Sequence, residues 1–145
     1  MIHKIEFTYS WIYDESYRNS PRIQELLKKQ NVNYPSIVKI QRYIQDVDKL
    51  WQKKGSVILE EIARITKFKW KENKTKCYII GFGRCFSDPL TMRLYKNKNE
   101  FIDTLTHEMI HQIQIQNSKK YKNWLNYVSR IYKKESVTTK NHIAL

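Results

Sequence analysis

The sequence is poor in the residues that break chains. Its 145 residues include three glycines, three prolines and two cysteines. So little punctuation implies long regular elements joined by few tight turns. The cysteines, Cys77 and Cys85, are too few for a disulfide scaffold and form no CxxC pair for a zinc ribbon. They read as small buried residues. No apolar run approaches the roughly 18 residues of a membrane span, and no secretory signal pattern opens the chain. Internal repeats, low-complexity blocks and linkers are also missing. The expectation is one cytoplasmic domain over residues 1–145, monomeric and without a membrane partner. Within it, residues 1–35 read as an N-terminal cover and residues 36–145 as the core.

Positive charge is abundant instead. Lys and Arg number 27 against 14 Asp and Glu, a net charge of +13. An excess of that size suits an anionic partner or serves solubility. Hydrophobic residues at 41% and aromatic residues at 13% support a packed core and exclude a disordered tail.

The pattern of apolar residues places the elements. Ile2 to Tyr13 mixes β-branched and aromatic residues, as a short strand or an irregular cover would. Ser20-Pro21 reads as a cap with proline at the first helical position, opening a helix through Lys29. From Ser36, Ile37, Ile40, Ile44, Val47, Leu50 and Trp51 recur at helical spacing. Gly55 interrupts that pattern and Val57, Ile58, Ile62 and Ile65 resume it, giving one long helix or two. Lys67-Phe68-Lys69-Trp70-Lys71 alternates like a half-exposed strand. Cys77–Phe82 and Leu90–Tyr95 read as two more strands, with turn chemistry at Gly81, Gly83 and Ser87-Asp88-Pro89. Asn97 to Glu100 has the form of a capping box, opening a helix striped by Ile102, Leu105, Met109 and Ile113. A further helix begins near Lys120 with Trp124, Val128 and Ile131 on one side. Val137-Thr138-Thr139 predicts a last short strand. Helices, a small sheet and helices again make the expected class α+β.

The motif with chemistry is His107-Glu108-Met109-Ile110-His111. An HExxH on a helix sets two imidazoles one turn apart on one face, where they can share a Zn²⁺. Met109 belongs to the core stripe and the histidines do not. Glu108 lies beside them as general base, taking a proton from a zinc-bound water and returning it to the leaving amine. Two histidines and a water leave one tetrahedral position for a third protein ligand. Downstream the candidates are Glu135, at the end of the next helix, and His142, after the predicted strand. His142 is preferred.

With these residues the chain resembles the zincin metallopeptidases, and among them the SprT-like (Spartan-like) group. The resemblance runs from about Ile79 to Ile143. It rests on Gly83-Arg84-Cys85, the strand Leu90 to Leu94, Thr106 to His111, the helix around Trp124 to Ile131, and Val137-Thr138-Thr139 followed by His142. It implies a minimal zincin domain: helices packed on a small, mostly antiparallel sheet with an HExxH active-site helix. It also implies His107 and His111 as zinc ligands and Glu108 as general base. Leu90 to Leu94 would border the cleft and pair with an extended substrate. The family's His-Gly pair at the start of the second helix is replaced by Lys119-Lys120-Tyr121, so the third ligand has moved or the site is incomplete.

The expected function is zinc-dependent endopeptidase activity on a protein or peptide substrate. The family resemblance adds DNA-associated proteins as targets. The alternative is a non-catalytic nucleic-acid-binding or regulatory protein on a zincin scaffold. Tyr127, Tyr132 and Arg93 are the oxyanion donors available by residue type. Two basic regions offer contact to DNA or another polyanion. One is Lys67, Lys69, Lys71, Lys74 and Lys76, interleaved with Phe68 and Trp70. The other runs through Lys119, Lys120, Lys122, Arg130, Lys133, Lys134 and Lys140, with Tyr121 and Trp124. Lysines among aromatics suit single strands. The competing reading of the first region is an edge strand guarded by lysine, its two aromatics facing the core.

Overall fold

A computed structural model describes residues 3–143. In chain order the elements are β1 (Lys4–Thr8), α1 (Trp11–Arg18), α2 (Pro21–Gln30), α3 (Ile37–Thr66), β2 (Lys74–Ile80), β3 (Phe86–Ser87), β4 (Leu90–Arg93), α4 (Lys98–Gln116), α5 (Ser118–Ile131) and α6 (Val137–His142). The class is α+β, mostly helical around one four-stranded sheet.

The scaffold is the long helix α3 laid against the sheet together with α4. Ser36 caps α3 by accepting a hydrogen bond from the Lys39 amide. Its apolar stripe buries Ile40, Val47, Trp51, Leu59 and Ile62. Gly55 does not break it, because the Trp51 indole lies across the position that a Cβ at Gly55 would take. The glycine therefore admits a large ring rather than a bend. The sheet adds Ile5, Cys77, Ile79, Leu90 and Met92 to this core, and α4 adds Phe101, Ile102, Leu105, Met109 and Ile113. Each such side chain is worth about 1.5–3 kcal/mol in burial alone.

The sheet order is β1-β2-β4-β3. β1 pairs with β2 and β2 with β4 in parallel; only the β3–β4 pair is antiparallel. This corrects the expected mostly antiparallel sheet. Three helices separate β1 from β2, a connection long enough to return the chain for parallel pairing. It also corrects the place of the strand at Leu90. β4 lies between β2 and β3, so the sheet edge on that side is β3, whose Phe86 and Ser87 face Thr91 and Leu90.

On the opposite face, α1 covers β2 and β4. The Tyr13 hydroxyl meets Thr91 Oγ1 at 2.9 Å, and the Tyr13 ring tilts against Tyr78. Asp14, with no exposed surface, holds this layer down. Its carboxylate accepts from the Tyr34 hydroxyl (2.5 Å), the Gly81 amide (2.9 Å), the Arg18 guanidinium (3.1 Å) and the Tyr9 hydroxyl (3.2 Å). A buried carboxylate is tolerated only when so fully bonded. Within the segment read as a cover, β1 is thus a strand of the sheet itself, and only the helices lie over it.

Two further expectations are corrected. Lys67 to Lys71 is not a strand: Lys67 ends α3 in a left-handed conformation (φ 57°) and the following residues lie outside the sheet with no regular secondary structure. The segment bonds instead to the far end of α4, where Asn117 donates to the Lys69 carbonyl (2.9 Å) and Gln116 Oε1 accepts from the Lys71 amide (2.9 Å). Val137 to Thr139 is helical. Ser136 caps α6 by accepting from the Thr139 amide at 3.0 Å, and this cap outweighs the β-branched residues behind it.

Candidate metal centre

The histidines of the HExxH stand on α4 because the core claims the other side of that helix. Phe101, Leu105, Met109 and Gln112 recur at three- and four-residue steps and are buried, which turns His107 and His111 outward. Asn97 caps the helix through the Asn99 amide (2.8 Å). Among the described residues no bond from Glu100 back to Asn97 completes the expected box, though Glu100 still sets a negative charge in the first turn.

α5 then runs to Ile131, and a turn leads into α6. This brings His142, the last residue of α6, over the outward face of α4. The ligand-capable nitrogens of His107, His111 and His142 all lie within 4.8 Å of one another. His107 Nε2 and His111 Nε2 are 3.1 Å apart. The ring of His142 stacks on His107 at 5.5 Å and stands edge-on to His111 at 5.4 Å. Glu135, the other candidate, is exposed in the turn after α5 and is not part of this cluster.

Hydrogen bonds behind the rings fix which nitrogens face inward. His111 Nδ1 donates to Gln114 Oε1 at 3.1 Å, and Gln114 is itself buried. His142 Nδ1 donates to the Thr138 carbonyl at 2.7 Å. Both acceptors can only accept, so the protons sit on Nδ1 and the Nε2 lone pairs are left for a metal. Gln114 was the residue that motif reasoning passed over. Its position three residues after His111 on one helix was the available signal.

The surroundings of His107 and His111 disfavour their protonated forms. Burial lowers the His107 pKa from its ordinary value, and the charges of His111 and His142 add to that. Burial also lowers His111, opposed by its Gln114 bond and helped by His142. Glu108, half-buried beside His107, moves the other way: burial raises its pKa, while the nearby His142 pulls it down. One turn beyond Glu108, Gln112 Nε2 donates to the Ser87 carbonyl of β3. The Glu108 side of α4 therefore faces the edge strand.

The donor set suits zinc. Two imidazole nitrogens on one tetrahedral zinc, each at about 2.0–2.1 Å, stand roughly 3.3 Å apart, close to the separation of the Nε2 atoms of His107 and His111. Imidazoles with the second nitrogen bonded outward, as in His111 and His142, are the form that ligates.

The other named residues are placed as follows. Tyr127 and Tyr132 are exposed, and Arg93 lies over the Tyr95 ring at 4.7 Å. Among the described residues none of the three bonds to the histidines. Phe68 and Trp70 pack against the core, with Trp70 Nε1 donating to the Leu59 carbonyl (3.0 Å) and its ring stacked on His3. They are committed to packing, while the lysines of that segment stay exposed. Through Asn117 and Gln116, this segment and the basic run from Lys119 meet at the C-terminal end of α4, where the helix dipole favours positive charge. Among the described residues no helix is long and apolar enough to cross a membrane. Compared with known protein families, curated proteins and solved structures, the chain gives no significant match.

Proposed function

We propose that this chain is a zinc-dependent endopeptidase of minimal zincin type. The carrying observation is the three-imidazole cluster, His107, His111 and His142, with Glu108 beside it. Structural zinc sites use four protein ligands, whereas three leave one position open, as catalytic sites do. A bound zinc would supply Lewis-acid activation of water and of the scissile carbonyl. The chain's own residues would do the rest. Glu108, its pKa raised by burial, accepts the proton of the attacking water and delivers it to the leaving amine. Gln114 and the Thr138 carbonyl hold the His111 and His142 imidazoles in their ligating tautomers. The edge strand β3, on the Glu108 side of α4, offers an extended substrate a backbone to run along. The basic surface at the end of α4 favours substrates carried on a polyanion such as DNA.

The test is a pair of measurements on purified protein. Elemental analysis should give one zinc per chain. Glu108→Gln should keep that zinc and cut peptide hydrolysis by about 10²–10⁴-fold. Protein that takes up no zinc sinks the proposal. Zinc-loaded protein that hydrolyses no peptide would leave only a non-catalytic scaffold, and a Glu108→Gln variant that cleaves as well as its parent would remove Glu108 from the chemistry.

A further inference from the structure

A concavity, independent of the metal reading, opens where β2 and β4 end. Parallel strands present their carboxyl ends as natural crevices for ligands. Here the loop after β2 supplies Phe82, Gly83 and Arg84, and Arg93 and Tyr95 follow from β4. Gly83 has φ 150°, and a Cβ there would press on Ile80 and Tyr17. The loop is therefore held tightly against α1, and the cleft keeps its shape. Its volume is about 830 Å³, within the range of small-molecule sites.

The lining has an unusual balance. Arg22, Arg84 and Arg93 all contribute, and no aspartate or glutamate does. Among the described residues none of these three guanidinium groups makes an ion pair. The first turn of α2 also opens on the cleft, and the Ser20 hydroxyl there makes no cap bond to the helix. Flat rings complete the wall: Tyr17, Phe82 and Phe86, the last 40% exposed on β3. β3 divides this cleft from the candidate metal centre, since Phe86 lines the cleft while the next residue, Ser87, accepts from Gln112 of α4.

We infer that the cleft binds a phosphate group carried on a planar ring, that is, a nucleotide, free or as one unit of a single strand. Guanidinium forks match phosphate oxygens in pairs, and aromatic faces stack on a base of any sequence. No carboxylate lines the cleft and none pairs with these arginines among the described residues, so their charge is left for a ligand. Diffuse attraction by the net charge would not need a cavity, or rings within it.

The experiment titrates the purified chain with inorganic phosphate, AMP and an eight-residue oligothymidylate, followed by calorimetry at two salt concentrations. AMP or the oligonucleotide should bind saturably, and more tightly than phosphate. Arg84→Gln with Arg93→Gln should weaken that binding about tenfold or more, and Phe86→Ala should weaken AMP but not phosphate. An oligonucleotide far tighter than AMP, yet still lost in the arginine variant, assigns the site to a strand; comparable affinities assign it to a free nucleotide. Two results overturn the inference: no saturable binding of either, or an equal loss when Lys67, Lys69 and Lys71 are changed to Gln instead. Unchanged thermal midpoints in the variants confirm that folding is intact. Binding is read without reference to cleavage, so this inference and the peptidase proposal fail separately.

Discussion

The body of this protein and the arm that carries His142 are held by different means. α3, α4 and the sheet share a continuous core in which Ile40, Val47, Met92, Phe101, Leu105, Met109 and Ile113 have no exposed surface. α5 buries only Val128, and α6 buries no residue at all. Tyr127, Ile131, Tyr132 and Val137 remain open to solvent on the arm. Yet the arm supplies one of the three clustered imidazoles. Packing alone fixes two of the histidines, because they stand on α4. The third depends on a short capped helix with little apolar anchorage, so under the proposed site a metal would fasten the arm as well as serve the chemistry.

Perturbations of the two regions should therefore differ in kind. Phe101→Ala removes a fully buried ring from the body. It should cost about 3–5 kcal/mol of global stability, read from denaturant unfolding as a shifted midpoint. His142→Ala should barely move that midpoint in metal-free protein. It should lower zinc affinity by about 100-fold or more, beyond the cost of losing an outer-shell partner. In hydrogen exchange, α6 amides of the parent should slow when zinc is added, and those of His142→Ala should not. Equal α6 protection with and without zinc would break the contrast between body and arm.

A smaller effect concerns the body alone. His3 is buried, its Nδ1 donating to the Glu72 carbonyl and its Nε2 facing Thr75 Oγ1. Burial lowers its pKa from the ordinary value near 6.5, opposed by the Glu72 bond. The unfolded chain then takes up the proton first, so this stability is full above about pH 6.5 and is lost as pH falls through the lowered folded value. His3→Asn should flatten that part of the pH dependence, measured by thermal unfolding between pH 5 and pH 8. Least of all, Ser136→Ala should cost about 1 kcal/mol, confined to α6 and visible in its amide exchange rather than in the global midpoint.

What the sequence disclosed follows the same division. The HExxH, the apolar stripe beside it and the Ser36 start of α3 are local patterns. Each was legible because its residues lie within a few turns of one another. α6 was misread for a reason that is also local. Val137-Thr138-Thr139 favours a strand by composition, and the Ser136 cap that decides the matter was given no weight. α1 escaped notice although Ser10 precedes it as a cap. Of the long-range facts, only the approach of His142 to the HExxH was legible, from the demand for a third ligand. Nothing within Lys67 to Lys71 announces that Asn117 and Gln116 will hold it outside the sheet. Nothing near Asp14 announces donors at Tyr34 and Gly81. Parallel pairing was missed similarly, because direction is set by the crossover and not by the strands it joins.

That crossover has a kinetic consequence. β1 pairs residue by residue with β2, Lys4 opposite Lys74 and Thr8 opposite Tyr78, across nearly half the chain. Loop closure of such length costs entropy before any contact rewards it. The helices between them can form early from local contacts, while docking of the first strand must wait until β2 is made. Refolding should thus run in two stages, with helical signal leading and burial of Trp51 and Trp70 lagging until the first strand closes the sheet.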